Sequence, residues 1–534
     1  MTLIVAPIFL TNLSDARQFA IQARLQGADA IELRCDRASK DLLQAALCAP
    51  DIRVLKTIVT IRPQWEGGEF SGSEKERLEL LLAACRLKPD LLDVEWMAWK
   101  NSPGFASALV PHLNTTEADL SKATSGIRLI LSNHDFSSRP ADLHQRLAAM
   151  AQVPNAAVLK VAFQANNLGD ALAALEIYTQ KPRYNNRPLV AIAMGEAGQI
   201  SRLLATKFGA AFTFASLDGH NSTAPGQPLI SALVHRYRFK QQRADWRVFG
   251  VVGSPVSHSV SPMIHNAGFA HIDFPGVYVP LLIGSGMETF AQTIEALRTA
   301  PGLNLGGTSV TIPHKTNAFA FAQSHQAKID AVSRHIGAIN TLYFHPDGVL
   351  EAANSDAAGA IGALTAGMGI QNSDLYGKDV AILGAGGAAR AVVAGLESCH
   401  SHITIYNRTL AKARDLAAQF GGAERHVWAQ DLAAFPRSHH AIIINCTSAG
   451  MNPHTDTLPF PPDTRLHADQ VVFDSVYNPR QTRLLHLARS GGATCVEGLE
   501  MLLGQAAVQF HGFTGQSPPQ SIMRTAALAA LPSI

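Results

Sequence analysis

Eight short apolar segments of β-forming residues recur along the first 216 residues, and stretches with helical periodicity separate them. In three of those stretches, 14–25, 73–86 and 141–151, apolar residues recur at the i, i+3 and i+4 positions of a helix. Strand–helix alternation implies a parallel sheet, because parallel neighbours need a crossover connection. Eight such units predict an N-terminal (β/α)8 barrel, and a doubly wound open sheet is the alternative that periodicity leaves open. The predicted strands cover residues 2–8, 28–36, 56–63, 91–97, 127–136, 157–163, 189–195 and 211–216.

The composition excludes several classes of protein. At 534 residues the chain is too long for one hydrophobic core. Lys plus Arg (44) nearly balance Asp plus Glu (42), so we expect no nucleic acid and no membrane surface as a partner, and the oligomeric state stays open. The six cysteines are scattered, so we expect no metal and a reducing compartment. Residues 1–10 lack the basic region of a signal peptide, and no apolar run approaches the ~18 residues of a membrane span, which predicts a cytoplasmic protein.

Charged side chains interrupt the apolar pattern near the C-terminal ends of the predicted strands. Strand interiors of a barrel are filled with Val, Ile and Leu, so a charge there is costly. Any one of these side chains alone is explained by a structural ion pair. Five of them at the end where barrel enzymes place their active sites favour a catalytic site. They are Glu32, Arg34, Arg62, His134 and Lys160.

Lys160 is the candidate nucleophile of this site. It lies between apolar neighbours in the sixth predicted strand, and burial disfavours the charged form of an amine. A neutral amine can attack a carbonyl to form a Schiff base, and the resulting iminium withdraws electrons from the adjacent carbon. His134 is suited to move the proton from that carbon. Arg34, Arg62 and Arg202 imply a substrate that bears a carboxylate.

An ordered set of motifs in the first half resembles type I 3-dehydroquinate dehydratase over roughly residues 1–235. The motifs are ELR at 32–34, EGGE at 66–69, SNHD at 132–135, LKV at 159–161, ISR at 200–202 and TAPGQ at 223–227. The resemblance implies that Lys160 forms an imine with the C3 ketone of dehydroquinate, that His134 is general base and acid, and that Glu66 orients His134. The residues that it implies for binding the carboxylate and hydroxyls are Glu32, Arg34, Arg62, Arg202, Thr223 and Gln227.

A polar and basic run, residues 234–247, joins the two halves of the chain, and a new strand begins at its end. The density of charge in this run predicts a solvated helix end. We therefore place the boundary between the halves near residue 240.

The segment VAILGAGGAAR at 380–390 most strongly constrains the second half. It predicts a strand, then a G-x-G-x-x-A turn, then a helix. A glycine triplet alone occurs in plain turns, but in this context it is a dinucleotide fingerprint that places pyrophosphate at the helix N-terminus. The next strand ends in NRT at 407–409, where an NAD site usually has an acidic residue. This run, with Lys412 nearby, suits a 2′-phosphate, so we predict NADP(H) rather than NAD(H).

Four motifs precede the fingerprint: SPVSHSVSP at 254–262, GTSVTIPHK at 307–315, GAINT at 337–341 and NSD at 354–356. Each has a structural explanation in isolation; Ser before Pro, for example, caps a helix. Their ordered combination, with DSVYN at 474–478 and EGLEMLLGQ at 497–505, resembles shikimate dehydrogenase over about residues 247–525. The chain departs from the usual Gly-x-Asn-Thr-Asp of that family at Ala352 and Ser355, and the missing glycine affects the approach to Asp356.

This resemblance implies roles for individual residues. Lys315 and Asp356 form the pair at the reacting oxygen, and Lys315 donates the proton when the ketone of 3-dehydroshikimate is reduced. The residues implied for the substrate are Ser259, Ser261, Thr311, Asn340, Tyr477 and Gln505. Those implied for NADP are Gly384, Ala385, Gly386, Gly387, Ala388, Asn407, Arg408, Thr409, Lys412 and Gly498.

The two resemblances together predict two consecutive activities in one α/β chain, in which the product of the first is the substrate of the second. We predict a barrel at 1–238, a substrate-binding domain at 247–356 completed by C-terminal helices at 506–534, and a Rossmann NADP domain at 357–505. Quinate dehydrogenase is the alternative for the second half, and a class I aldolase would use the same barrel lysine. A sensor of a pathway intermediate built on this scaffold is disfavoured, because the catalytic side chains of both halves are present.

Overall fold

The computed structural model describes residues 1–114, 126–218, 224–421, 426–461 and 464–531. Its strands form one eight-stranded and two six-stranded sheets. The sheets follow one another along the chain, each with its own helices. One of the predicted binding residues, Thr223, lies outside the described residues.

The first sheet is the predicted barrel. Its strands are β1 (Leu3–Phe9), β2 (Ala30–Arg34), β3 (Lys56–Thr60), β4 (Leu91–Glu95), β5 (Arg128–Asp135), β6 (Ala156–Gln164), β7 (Leu189–Met194) and β8 (Phe212–Phe214). Each strand pairs in parallel with the next from β1 to β7, and β8 returns to pair with β1. The backbone N–H of Ala211, just before β8, donates to the carbonyl oxygen of Leu189 in β7 at 2.8 Å. The eight predicted strands and the barrel are therefore confirmed.

Helices surround the barrel, and local sequence explains where several of them begin and end. Ser73 and Glu76 form a reciprocal capping box at the start of the fourth helix. Gly27 ends the first helix at φ +101°, a conformation that favours glycine. The three helices predicted from periodicity are present. The helices are α1 (Leu13–Gln26), α2 (Lys40–Cys48), α3 (Pro50–Arg53), α4 (Glu74–Arg86), α5 (Trp96–Asn101), α6 (Pro103–Leu109), α7 (Leu143–Ala151), α8 (Leu168–Thr179) and α9 (Ile200–Leu203).

The second sheet is mixed. Its strands are β9 (Arg247–Gly253), β10 (Gly276–Leu282), β11 (Leu305–Val310), β12 (Lys328–Ile329), β13 (Thr341–Phe344) and β14 (Leu350–Ala353), in the order β10-β9-β11-β13-β14-β12. β13 runs antiparallel to both β11 and β14. The helices of this part are α10 (Ser261–His271), α11 (Met287–Thr299), α12 (Lys315–Ser324) and α13 (Ala331–Ile336).

The third sheet is parallel. After α14 (Ser355–Met368) come β15 (Asp379–Leu383), α15 (Gly387–Ser398), β16 (His402–Asn407), α16 (Leu410–Phe420), β17 (Val427–Asp431), β18 (Ile442–Asn445), β19 (Val471–Asp474), α17 (Arg483–Ser490), β20 (Thr494–Val496), α18 (Gly498–Thr514) and α19 (Gln520–Ala530). The order β17-β16-β15-β18-β19-β20 is the 3-2-1-4-5-6 order of a dinucleotide-binding fold. Such folds bind their ligand beyond the carboxyl ends of the strands where the order reverses, here between β15 and β18.

The segment that joins the two halves is solvated only in part: Lys240, Arg243 and Asp245 are exposed, as its charges predict, whereas its aromatic residues are buried. Phe239 and Trp246 are almost completely buried, and the Arg238 guanidinium lies 4.5 Å from the centre of the Trp246 ring. Lys207, from the barrel, donates from Nζ to the carbonyl oxygens of Ala244 and Trp246, at 2.7 Å each. Burial of the aromatic side chains holds the segment against the protein, while those three charged side chains remain in solvent.

Two candidate active sites

Eight polar side chains predicted for the barrel site line one cleft at its C-terminal mouth. The cleft has a volume of about 510 Å³ and is partly open to solvent. Strands β2, β5 and β6 and the segments that follow β3, β7 and β8 each contribute to it. The ends of separate strands thus bring together residues that are far apart in sequence. The eight are Glu32, Arg34, Arg62, Glu66, His134, Lys160, Arg202 and Gln227.

Lys160 lies in β6 with only 4% of its surface exposed. Its Nζ is 2.9 Å from Oδ2 of Asp93 and 3.9 Å from Oε1 of Glu32. Burial alone would raise the pKa of Asp93, but Arg62 and Lys160 outweigh burial and hold that pKa well below its ordinary range. The amine is therefore fixed in the cleft by an ionised carboxylate.

The sequence analysis missed this carboxylate. Asp93 and Glu95 alternate within β4, an otherwise apolar strand, so both side chains point to the same side of the sheet. Together with Ser132 they accept hydrogen bonds from the guanidinium of Arg62, at 2.7 to 2.8 Å. In the sequence, two acidic residues at positions i and i+2 of an otherwise apolar strand indicate a charged cluster that faces the barrel interior. Arg62 lines the cleft, but this cluster already engages three of its N–H groups.

His134 and Glu66 lie side by side, and Glu66 contacts the backbone of His134 more closely than its ring. Oε1 of Glu66 accepts from the backbone N–H of His134 at 2.6 Å, whereas it is 3.7 Å from the ring Nδ1. Burial, reinforced by Arg62 and Lys160, lowers the pKa of His134 well below its ordinary value. Burial raises the pKa of Glu66 to about 8, against the opposing effect of Arg62. The imidazole is therefore neutral and able to accept a proton.

The two arginines of the cleft that are not bonded to Asp93 have different surroundings. Arg34 forms a buried ion pair with Asp36, at 2.6 Å. Arg202 is 2% exposed, and its Nε has no hydrogen-bond partner among the residues that the structure describes. No ion pair within the described ranges includes its guanidinium, and burial lowers the pKa of Arg202 to about 10. A buried cation without a counter-ion at a cleft wall suits an anionic ligand.

In the second half, Lys315 and Asp356 are in direct contact. Lys315 begins α12 and Asp356 lies in the first turn of α14, and Nζ donates to Oδ2 of the carboxylate. Asn340 donates from Nδ2 to Oδ1 of Asp356 at 2.9 Å and to Oε1 of Gln505 at 3.2 Å. Asn354 caps α14 and its side chain accepts from the backbone N–H of Asp356 at 3.0 Å. Four residues predicted for the site are therefore joined by hydrogen bonds that centre on the Asp356 carboxylate: Lys315, Asp356, Asn340 and Gln505.

The other predicted substrate residues lie at the ends of neighbouring elements. Ser259 and Ser261 stand at the start of α10, where the Ser261 backbone N–H donates to Oγ of Ser259 at 3.3 Å. Thr311 directly follows β11, and its backbone N–H donates to the carbonyl oxygen of Val252 at 2.8 Å. Tyr477 follows β19, and burial raises its pKa. Ser259, Ser261 and Thr311 therefore follow strands of the second sheet, and Tyr477 follows a strand of the third.

The glycine-rich turn after β15 has the shape that a dinucleotide requires. Gly384 has φ +107°, and a Cβ there would lie 2.8 Å from Cγ2 of Thr447. A Cβ at Gly386 or Gly387 would meet no atom within 4 Å, so the N-terminus of α15 faces open space. The N–H groups of that first helical turn are the donors that a pyrophosphate uses. Ala385 and Ala388 are half-buried in the same turn.

The strand next to this turn ends with the residues predicted to bind the 2′-phosphate. Asn407 donates from Nδ2 to the carbonyl oxygen of Thr409 at 2.9 Å, which shapes the bend after β16. Arg408 and Lys412 are exposed there. Gly498 begins α18 against the carbonyl of Val476, where a Cβ would come within 2.6 Å of the oxygen. Donor types and open space therefore both fit NADP.

Within the described ranges, the structure contains no group of three or more His, Cys, Asp or Glu side chains placed to hold a metal ion. Nor does that part of the chain contain a helix long and apolar enough to cross a bilayer.

Comparisons with known proteins divide the chain in the same way. Residues 4–244 match the type I 3-dehydroquinase family model, and residues 251–342 match the shikimate dehydrogenase substrate binding domain. Residues 368–456 match shikimate / quinate 5-dehydrogenase, and residues 498–528 match the shikimate 5′-dehydrogenase C-terminal domain.

Individual relatives cover the whole chain or its second half. The chloroplastic bifunctional 3-dehydroquinate dehydratase/shikimate dehydrogenase of Arabidopsis thaliana is 34% identical over 98% of this chain and 83% of its own length. Shikimate dehydrogenase (NADP(+)) of Methanocella arvoryzae is 41% identical over 53% of this chain and 99% of its own length. The solved dehydroquinate dehydratase and shikimate dehydrogenase from S. pombe is 24% identical, with a TM-score of 0.44, over 99% of this chain and 98% of that one.

Proposed function

We propose, because this chain belongs to the family of bifunctional 3-dehydroquinate dehydratase/shikimate dehydrogenases, that its two sites catalyse consecutive reactions. The barrel dehydrates 3-dehydroquinate to 3-dehydroshikimate, and the second half reduces that product to shikimate with NADPH. The observation that carries the first activity is a buried lysine in the same cleft as a largely buried imidazole and as Arg202, which has no counter-ion among the residues that the structure describes. The substrate carboxylate supplies that counter-ion.

In the dehydratase reaction, Nζ of Lys160 attacks the C3 ketone, and the carbonyl oxygen leaves as water to give an iminium. His134 removes the proton from the adjacent carbon, and the electron pair moves toward the iminium nitrogen. The electron pair then returns to expel the hydroxyl group, which leaves as water after His134 returns the proton to it. Hydrolysis of the imine releases the product and regenerates the amine. Glu66 holds the backbone of His134 during these steps.

In the reduction, Lys315 donates a proton to the ketone oxygen and Asp356 holds the ammonium group in place. The side-chain amide of Asn340 donates to the Asp356 carboxylate and fixes it. The same amide also donates to Oε1 of Gln505. Ser259, Ser261, Thr311 and Tyr477 bind the carboxylate and hydroxyl groups of the substrate, as the resemblance implies.

NADP(H) is the cofactor of the second site. When bound, it supplies the hydride that the ketone carbon receives. The turn from Gly384 to Ala388 and the N-terminus of α15 hold its pyrophosphate. Arg408 and Lys412, with Asn407 and Thr409, would hold the 2′-phosphate, and Gly498 is a further residue that the resemblance implies for the cofactor.

We retain the predicted domain limits, 1–238, 247–356 with 506–534, and 357–505, as part of the proposal. Helix α18 crosses the limit between residues 505 and 506. Gln505 therefore belongs to the Rossmann domain but is proposed to bind the substrate of the substrate-binding domain. We also retain the cytoplasm as the proposed location. A fluorescent fusion of the full chain that concentrates in an organelle would contradict this.

Covalent trapping tests the dehydratase mechanism. Borohydride added together with dehydroquinate reduces the iminium, so a stable adduct should form on Lys160 and should be absent from Lys160→Ala. An adduct on another lysine, or none on the wild-type chain, would remove the Schiff-base proposal. The same adduct should be located by peptide mass spectrometry.

The overall conversion tests the two activities together. Purified chain given dehydroquinate and NADPH should form shikimate and oxidise NADPH in step, and Lys160→Ala or Lys315→Ala should each stop the conversion. Quinate dehydrogenase is the alternative for the second half. Faster oxidation of quinate with NAD than of shikimate with NADP would favour that alternative.

A further inference from the structure

We infer that Gln509, a buried residue of α18, is a positioning residue of the dehydrogenase site. It holds the hydroxyl of Thr341, which donates to Asn340, and Asn340 in turn holds Asp356. The inference rests on the proposed dehydrogenase function, since it assigns a role toward the residues of that site. Gln509 is 4% exposed and is not expected to contact the substrate.

The hydrogen bonds at Gln509 assign a direction to its side chain. The hydroxyl of Ser309 donates to Oε1 at 2.8 Å, and Nε2 donates to Oγ1 of Thr341 at 3.0 Å. A threonine hydroxyl has one hydrogen to give. Because Gln509 occupies a lone pair of Thr341, that hydrogen is directed to Oδ1 of Asn340, 2.7 Å away. All four side chains are buried, so each lost bond leaves an unsatisfied polar group.

Asn340 receives this bond on the side opposite to its catalytic contacts. Its Oδ1 accepts from Thr341 and from the backbone N–H of Ser355, at 2.9 Å. Both donors fix the amide so that Nδ2 faces Oδ1 of Asp356 and Oε1 of Gln505. Each side chain in this series therefore donates a hydrogen bond to the next. The series starts at Ser309 in β11 and ends at the Asp356 carboxylate, which contacts Lys315.

Gln509 also fixes the helix that carries Gln505. The two residues are four positions apart in α18, so they lie on one face of that helix. That face is attached to Asn340 twice, directly through Gln505 and indirectly through Gln509 and Thr341. A buried amide among Phe510 and Phe513 is costly unless it is bonded, and its bonds set the position of α18 over β11 and β13.

Isosteric substitutions test this role. Gln509→Met keeps the length of the side chain and removes its donor and acceptor, and Thr341→Val removes the hydroxyl. With 3-dehydroshikimate and NADPH, each should lower kcat roughly tenfold, and the KM for NADPH should stay unchanged. Thr341→Ser keeps the hydroxyl and should stay within about twofold of wild type. With deuterated NADPH, the isotope effect on kcat should rise in the two impaired variants, because the hydride step becomes slower.

The double variant and the barrel provide the controls. Because both substitutions break one chain of bonds, Gln509→Met with Thr341→Val should also lose roughly tenfold, whereas independent roles would give about a hundredfold loss. The dehydratase activity of each variant reports on folding within the same chain. If Gln509→Met also loses dehydratase activity, the test rests on the comparison of Thr341→Ser with Thr341→Val. Equal dehydrogenase rates for those two variants would overturn the inference. Wild-type kcat in both single variants, or additive losses, also overturn it. A wild-type chain that fails to oxidise NADPH with 3-dehydroshikimate would instead contradict the proposed function.

Discussion

Two arginines in the barrel cleft are both proposed to bind the substrate, but we expect them to affect stability in opposite ways. Arg202 is a buried cation without a counter-ion among the described residues, whereas Arg34 is paired with Asp36. Replacing an unpaired buried charge with an apolar side chain of similar length relieves a desolvation penalty. Breaking a buried pair leaves the remaining charge uncompensated and is strongly destabilising.

We therefore expect Arg202→Met to raise the KM for dehydroquinate at least tenfold while it raises the unfolding free energy of the barrel by about 1–4 kcal/mol. Steady-state kinetics and the thermal midpoint by calorimetry measure the two effects. Arg34→Met is the matched control. It should also weaken binding, but it should lower the midpoint because it leaves Asp36 buried and unpaired. A lower midpoint for Arg202→Met would contradict the absence of a counter-ion.

Glu66 makes the stability of the barrel depend on pH. Burial raises its pKa to about 8 in the folded protein, from an ordinary value of 4.5. Between these values the folded state keeps a proton that the unfolded state has released, so this group's contribution to stability falls as pH rises from about 4.5 to 8. The side chain of Glu66→Gln cannot titrate. The thermal midpoint of this variant minus that of the wild type should therefore increase as pH rises.

The comparison requires midpoints at pH 5, 6, 7 and 8. Glu69→Gln is the control, because Glu69 lies at the rim and pairs with Arg37 with both side chains more than a third exposed. Its difference from wild type should stay nearly constant across this range. A constant difference for Glu66→Gln as well would show that the carboxyl is not protonated in the folded barrel near neutral pH.

At the scale of elements, hydrophobic periodicity was sufficient for the eight strands of the barrel, but it did not exclude an open sheet. The barrel strands are largely apolar, and their ends shift by at most three residues between prediction and structure, as for the third strand, 56–63 against Lys56–Thr60. In the joining segment the charges predict solvation, and several of them are exposed, but the burial of its aromatic residues was not predicted. Burial depends on what surrounds a segment in three dimensions, and one sequence does not contain that information directly.

The same limit explains which parts of the barrel site were predicted. Charged residues at strand ends were recognisable because barrel enzymes use that edge. The partners of those residues were not, since Asp93 approaches Lys160 from a strand 67 positions away. The way in which Glu66 contacts His134, through its backbone N–H, also depends on side-chain directions that the sequence does not contain. In the second half, the resemblance supplied residues that no periodicity would have selected.

The joining segment yields a prediction of its own. Lys207 donates to two carbonyl oxygens of that segment, one buried and one partly buried, whereas Lys240 holds it through a partly exposed ion pair with Asp29. Lys207→Met should therefore cost about 2–3 kcal/mol, and Lys240→Met less than about 1 kcal/mol. Limited trypsin digestion should cleave Lys207→Met faster after Arg238 and Arg243, and Lys240→Met should be cut there at the wild-type rate. Equal rates for both variants would show that Lys207 does not hold the segment.

At the scale of the whole molecule, the two halves share buried contacts. One hydrophobic core extends from the helices around the barrel into the strands of the second sheet, and includes Leu175 of α8 and Leu297 of α11. Arg238 of the joining segment also donates to the carbonyl oxygen of Phe274, beyond β9, at 3.0 Å. Such contacts hold the first site at a fixed distance from the second, rather than on a loose tether.

A fixed distance allows the first site to raise the concentration of 3-dehydroshikimate near the second. The test compares the wild-type chain with an equimolar mixture of full-length Lys160→Ala and Lys315→Ala, at equal concentrations of each working site. In the mixture the intermediate must diffuse between molecules, so the lag before steady NADPH oxidation should be longer. Dilution should lengthen the lag of the mixture more than that of the wild-type chain, because only the distance between molecules increases. If the two lags coincide at every dilution, the intermediate equilibrates with solvent before it is used, and the fusion gives no kinetic advantage.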